Sequence, residues 1–147
     1  MLGTVEYRVA GKRVDATHTT PESLDLFALL DDAVKAGVSE VAMEVSSHAL
    51  EQGRVWRLHF DTAIFTNLTQ DHLDYHGTME KYFAAKQRLF EGTGASAPRV
   101  AVVNADDEYG QKLLNSRAVA EVRSYGIAEG EWRAGDARVG ADGVGFR

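Results

Sequence analysis

The spacing of hydrophobic positions changes several times along the chain, and each change marks an element. Gly3 to Val9 (GTVEYRV) is rich in β-forming residues and is followed across Ala10-Gly11-Lys12 by Arg13-Val14, the pattern of a hairpin. From Pro21 the spacing becomes helical, with Leu24, Phe27, Leu30 and Val34 on one face, Thr20 read as the N-cap, Pro21 as the first helical residue and Gly37 as the stop. Val38 to Val45 (VSEVAMEV) is a short apolar run with branched residues, which predicts a buried strand followed by Ser46-Ser47-His48. Asp61 to Phe65 (DTAIF) repeats the pattern and ends in Thr66-Asn67. Thr78 to Phe90 returns to helical spacing through Met79, Tyr82, Phe83, Lys86 and Leu89, and Gly92 and Gly94 close it. Arg99 to Val103 (RVAVV) predicts a third buried strand, again followed by polar residues, Asn104-Ala105-Asp106-Asp107. A helix is expected over Asp107 to Asn115 and a strand over Val122 to Tyr125; Ala137-Arg138-Val139 and Val144-Gly145-Phe146, in the Gly-rich tail, suggest a small β hairpin.

Strands alternating with helices predict an α/β fold: a mostly parallel sheet with helices on both faces, plus the small β hairpin. The polar residues that follow the strands then share one rim of the sheet, where α/β proteins bind ligands. At 147 residues and 44% hydrophobic, residues 1–147 are read as one domain. The net charge of -6, from 22 acidic and 16 basic side chains, argues against a nucleic-acid partner or an anionic membrane surface. Met1-Leu2-Gly3-Thr4 has neither the basic start nor the apolar stretch of a signal peptide, and no run is apolar enough to span a bilayer, so a cytoplasmic location is expected. The chain has no cysteine, which leaves Asp, Glu, His or a modified side chain to hold any metal.

Four clusters could carry chemistry. In Met43-Glu44-Val45-Ser46-Ser47-His48 a carboxylate sits one step before the end of an apolar run, costly to bury unless paired or bound to a cation. The plainer alternative is a Glu held by backbone amides, with Ser46 and Ser47 as helix caps. Thr66 to His76 (TNLTQDHLDYH) places two His and two Asp among Asn and Thr, a set that suits Mg²⁺ or Mn²⁺, although solvated capping residues would look the same. Lys86 shares a helical face with Tyr82 and Phe83, where a snorkelling surface lysine is the ordinary reading. Thr19-Thr20-Pro21 with Gln52 and Arg54 would make an anion or sugar site, and capping alone would explain Thr20.

Taken in order, THTTPES, AMEVSSHALEQGRV, FTNLTQDHLDYHGTMEKYFAAKQRLF and VVNADDEYG resemble the central domain of the Mur ligases, in the branch that adds the third amino acid to the UDP-N-acetylmuramoyl peptide. EVSSHAL and TNLTQDHLDYHG carry most of the specificity. The resemblance implies a P-loop-type ATPase-like fold and an amide ligase: ATP activates a substrate carboxylate as an acyl phosphate, which an amino group then attacks. It implies Glu44 and His72 as magnesium ligands, and Lys86 as a carbamylated lysine that serves a second Mg²⁺ as an anionic oxygen ligand. It implies His18, Thr19, Thr20, Ser46, Gln52 and Arg54 as contacts of the UDP-N-acetylmuramoyl dipeptide, and Asn104 as a residue near ATP. Lys86 and His72 are the expected catalytic pair. The family's Gly-rich phosphate loop is not among these residues, and the resemblance places its strand, loop and helix upstream of Gly3; the domain that selects the amino acid, diaminopimelate or lysine, is expected elsewhere too. These 147 residues alone are therefore expected to be inactive.

Two other readings compete. A metal-dependent hydrolase would use Glu44, Asp71, His72, Asp74 and His76, but leaves TTP, EVSSH and the Lys86 helix unexplained. A remnant that binds the UDP-sugar peptide without turnover would keep the same surface.

Overall fold

The computed structural model describes residues 1–116, 121–141 and 143–146. It divides into two compact units, Met1–Leu58 with Thr93–Ala95, and His59–Gly92 with Ser96–Arg147.

In the first unit, β1 (Glu6–Val9) and β2 (Lys12–Asp15) form the expected antiparallel hairpin, with Tyr7 opposite Val14. The helix after TTP, α1, runs Ser23–Lys35 and starts later than expected: Glu22 holds the N-cap position and no side chain caps it. Thr20 is buried instead. Its inward stripe also differs from the expected one, because Leu26 and Ala33 are buried while Leu24 is 87% and Val34 72% exposed. Leu26, Leu29, Leu30 and Ala33 keep helical spacing as well as Leu24, Phe27, Leu30 and Val34 do. Spacing identifies the helix; only packing chooses between two apolar stripes.

The strand expected over Val38 to Val45 is reduced to a single parallel bridge between Leu2 and Met43. Leu2 N donates to Ala42 O and Glu44 N donates to Leu2 O, both at 2.9 Å. A strand is defined by its ladder, and the rest of this run finds no second partner among the described residues, so Val41 stays 44% exposed. The chain then enters a short helix, α2 (Ser47–Glu51), capped by Ser46, whose Oγ accepts from Ala49 N at 3.1 Å.

The second unit holds a parallel sheet in the order β3 (Thr62–Phe65), β4 (Val100–Asn104), β5 (Glu121–Gly126), β6 (Trp132–Arg133). Two further helices, α3 (Leu73–His76) and α4 (Met79–Glu91), connect β3 to β4, and α5 (Glu108–Leu114) connects β4 to β5. The α3 turn falls in the stretch read as a polar loop. Thr78 caps α4 by accepting from Lys81 N at 3.2 Å, and Asp107 caps α5 by accepting from Tyr109 N at 2.9 Å and Gly110 N at 3.0 Å. Alternate residues of two strands, Ala63, Phe65, Ala101 and Val103, form the core with Tyr82 and Phe90 of α4 and Leu113 of α5. Phe65 and Phe90 meet edge to face at 6.3 Å. Phe65, Val103 and Ser124 are in register, so Thr66 and Asn104 leave the sheet on the same rim. The expected small hairpin is present as β7 (Arg138–Gly140) and β8 (Gly143–Gly145).

The inward stripe of α1 is testable by paired substitutions. Leu26→Ala should cost about 2–5 kcal/mol of stability and Leu24→Ser less than about 0.5 kcal/mol, measured by urea unfolding. Equal losses would show that the stripe is misassigned.

Candidate active-site residues

The TTP segment and the two segments around Glu44 and Arg54 are drawn together by one buried hydroxyl. Thr20 has no exposed surface, and its Oγ1 donates to Glu44 O and accepts from Ser46 N, each at 2.9 Å. Its carbonyl accepts from Arg54 Nη1 at 3.0 Å. Arg54 also donates through Nε to Gln52 Oε1 at 3.0 Å and pairs through Nη2 with Glu22 at 2.8 Å. Thr20, Ser46, Gln52 and Arg54 are thus gathered in the first unit as the sequence led us to expect. Their polar atoms are substantially used within the protein, Ser46 as a helix cap and Arg54 as a strut.

Thr19 and Glu44 meet through a residue the sequence reading passed over as part of a β-rich run. Thr4 donates its backbone N–H to Glu44 Oε2 at 3.1 Å and its hydroxyl to the same oxygen, and Thr4 Oγ1 lies 3.1 Å from Thr19 Oγ1. His18 is fixed through its backbone: the Tyr7 hydroxyl donates to His18 O, and His18 N donates back to the Tyr7 hydroxyl at 3.3 Å. The His18 ring lies on the surface with Nδ1 3.2 Å from Thr17 Oγ1.

In the second unit, His72 precedes α3 in the left-handed region at φ 52°, a conformation uncommon for a residue with a Cβ. Its N–H donates to Asp71 Oδ1 at 2.8 Å, and its Nε2 lies 3.4 Å from Asp71 Oδ2. Tyr82 receives His72 edge-on at 5.8 Å and stacks on His76 at 5.0 Å with 15° between the rings. His76 is only 5% exposed. One helical turn beyond Tyr82, the Lys86 ammonium lies 5.9 Å from the centre of its ring. Burial pushes the Lys86 amine below the ordinary lysine range, and the Asp71 carboxylate opposes that shift. Lys86 is therefore a half-buried amine beside an aromatic ring, and its burial lowers its affinity for a proton. Burial, assisted by Asp71, raises the Tyr82 phenol.

Asn104 sits on the sheet rim with both ends of its amide engaged, Nδ2 donating to Thr66 O at 2.8 Å and Oδ1 accepting from Asp106 N at 3.0 Å. The rest of NADDEYG works on the backbone as well. Asp106 accepts from Ile127, Ala128 and Glu129 N–H groups, which holds its carboxyl below the usual range. Asp107 caps α5 and accepts from Leu68 N at 3.0 Å. Gly110 lets α5 start against the strand end, since a Cβ there would stand 2.0 Å from Asn104 O.

These residues suit magnesium better than a hydrolytic metal cluster. Among the described residues no group of three or more His, Asp or Glu side chains is gathered that could hold a metal ion, so the side chains of the hydrolase reading do not meet as one ligand shell. Magnesium takes few protein ligands and keeps water and phosphate oxygens, and among the described residues Glu44 is held by hydrogen bonds to Oε2 and not to Oε1. The lowered pKa of Lys86 favours its neutral amine over the ammonium.

The Mur ligase middle domain model matches residues 1–147, so the chain belongs to the Mur ligase middle domain family. Three relatives named UDP-N-acetylmuramoyl-L-alanyl-D-glutamate--2,6-diaminopimelate ligase are similar to it. The one from Solibacter usitatus is 61% identical over 77% of this chain, the one from Geobacter sulfurreducens 51% over 99%, and the one from Geobacillus kaustophilus 47% over 100%. The chain spans 23%, 28% and 31% of those relatives, respectively. A solved structure of a ligase with the same name superposes with a TM-score of 0.76 at 30% identity, over 96% of this chain and 30% of that one. The α/β class and the parallel sheet with its small hairpins agree with that fold. No helix among the described residues is long and apolar enough to cross a membrane.

The Lys86 environment predicts a pH effect. Its folded pKa lies below the unfolded one, near 10.5, so the unfolded chain binds more protons between the two values and Lys86 contributes a stability that rises with pH across that window. Titrating the labelled Lys86 amine by NMR should place it below 10.5; a value at or above 10.5 would contradict the desolvation.

Proposed function

We propose that this chain is the middle part of an ATP-dependent amide ligase that adds the third amino acid to UDP-N-acetylmuramoyl-L-alanyl-D-glutamate in peptidoglycan synthesis. The amino acid is 2,6-diaminopimelate, the one in the names of its relatives. The observation that carries the reading is Lys86, a desolvated amine one turn from Tyr82. Most buried lysines are costly, and this one becomes useful when its neutral amine adds carbon dioxide, releases a proton and becomes an anionic carbamate.

In the reaction the γ-phosphoryl group of ATP passes to the substrate carboxylate and ADP leaves. The amine of the incoming amino acid then attacks the acyl carbon, and phosphate departs as the peptide bond forms. Magnesium, when bound, neutralises the negative charge that gathers on the phosphate oxygens. Glu44 and His72 would each serve magnesium as ligands, carbamylated Lys86 would serve a second magnesium, and Asp71 orients His72 through the contacts described above. Thr19, Thr20, Ser46, Gln52, Arg54 and His18 belong to the muramoyl-dipeptide side, supported by the convergence of the first five on one hydrogen-bonded patch. Asn104 is assigned to the nucleotide side, a role supported by its position on the sheet rim with its amide bonded to Thr66 and Asp106. The reaction belongs to the bacterial cytoplasm, where ATP and UDP-linked sugars are found.

In the whole ligase, Lys86→Ala should lower kcat by roughly 100-fold or more, since several kcal/mol of charge stabilisation would go with the carbamate, and bicarbonate or a short-chain carboxylic acid should restore part of it. Unchanged turnover would rule out the carbamate role. Binding of the UDP-muramoyl dipeptide with no ATP-dependent turnover in the wild type would instead identify a remnant. His72→Ala should raise the magnesium concentration for half-maximal rate by roughly tenfold or more, because even outer partners of a metal ligand are worth that much. An unaltered magnesium dependence would remove His72 from the metal.

A further inference from the structure

Thr4 lies outside the residue set named above, yet it joins two members of that set. It gives two donors, its N–H at 3.1 Å and its hydroxyl, to one oxygen of Glu44, Oε2. Oε1 takes no hydrogen bond among the described residues. It lies beside Gly3, where a Cβ would stand 3.1 Å from Oε1, so the glycine leaves room for the carboxylate. A threonine hydroxyl has one proton, and a carboxylate only accepts. Thr4 has therefore used its proton on Glu44, and in the 3.1 Å contact between the two hydroxyls Thr19 must be the donor. The chain of protons runs from Thr19 to Thr4 to Glu44.

We propose that Thr4 is a positioning residue that couples the metal side of the site to the substrate side: it locks Glu44 through Oε2 so that Oε1 is presented to a divalent cation, and it spends the Thr19 proton so that Thr19 meets the substrate as an acceptor. The group that Thr19 takes is accordingly an N–H or O–H of the muramoyl dipeptide, such as a peptide amide or a sugar hydroxyl, and not a phosphate or carboxylate oxygen. A carboxylate held by two donors keeps one orientation before the cation arrives, which is how outer partners raise metal affinity. The inference rests on the proposed roles of Glu44 and Thr19.

The test uses the whole ligase with two binding readouts: titration with Mn²⁺ alone, followed by electron paramagnetic resonance, and calorimetric binding of the UDP-N-acetylmuramoyl dipeptide without ATP. Thr4→Val should weaken Mn²⁺ binding by roughly tenfold or more and weaken dipeptide binding as well, whereas Thr4→Ser, which keeps the hydroxyl, should bind both as the wild type does. Gly3→Ala, which crowds Oε1, should weaken Mn²⁺ binding while leaving the dipeptide affinity in place. Thr4→Val that loses neither affinity, or only one of them, overturns the coupling, as does Thr4→Ser that fails to restore them. Glu44→Gln and Thr19→Val separate this from the underlying reading: if they weaken Mn²⁺ and dipeptide binding respectively while Thr4→Val does not, only the coupling fails. If Glu44→Gln leaves Mn²⁺ binding unchanged, the metal role of Glu44 and the coupling fall together.

Discussion

The hydroxyl of Thr20 is the constraint on which the first unit's site depends. A buried hydroxyl must find partners, and this one finds a carbonyl and an N–H two residues apart in sequence, Glu44 O and Ser46 N. The clasp fixes the backbone on both sides of Val45, and so determines where the Glu44 carboxylate leaves the chain and where α2 begins. Arg54 reinforces it from the far side by donating to the Thr20 carbonyl. An unpaired Thr20 would carry a buried polar group at a cost of about 1–3 kcal/mol, so the three segments either close together or lose a sizeable share of a small domain's stability.

In the second unit the packing around Tyr82 shields a lysine in part from water. Tyr82 lies against the core with Phe65, Phe90 and Val103, and it faces two imidazoles on its other contacts. Lys86 inherits that environment because it is one turn further along α4. The apolar packing that stabilises the sheet thereby also lowers the amine's affinity for a proton. His76, with its ring buried against Tyr82, gives its surface to that packing, which explains why two histidines four residues apart in one motif take such different positions.

Much of this was legible in the sequence for identifiable reasons. The parallel strands read correctly because Ala63, Phe65, Ala101 and Val103 lie in short apolar runs ended by polar residues. Thr78 and Asp107, where the two helices were expected to begin, cap them through N–H groups two or three residues away. Local interactions of this kind are written in local sequence. Apart from the short α3 turn, the misreadings were non-local. Thr20 looked like a cap because a threonine before Pro and Glu usually is one, but its hydroxyl goes to residues more than twenty positions away. The stripe of α1 that faces inward, and the single bridge to which the Val38–Val45 run is reduced, both depend on what lies opposite.

The candidate site divides along the same line. The residue types, their spacing and the family resemblance were sufficient to name Glu44, His72, Lys86 and the threonines, because the wording of EVSSHAL and TNLTQDHLDYHG is a local property of the chain. The sequence by itself therefore determined the longer helices, the strands β3, β4 and β5, the two hairpins and the list of candidate residues. Tertiary structure alone decided that Arg54 is braced against Glu22 and Gln52, that Lys86 is half-buried with its proton affinity lowered, and that Thr4, forty positions from Glu44, holds that carboxylate. The physical reason is that desolvation and hydrogen-bond partnership between distant positions depend on which surfaces meet, and no window of neighbouring residues contains that information.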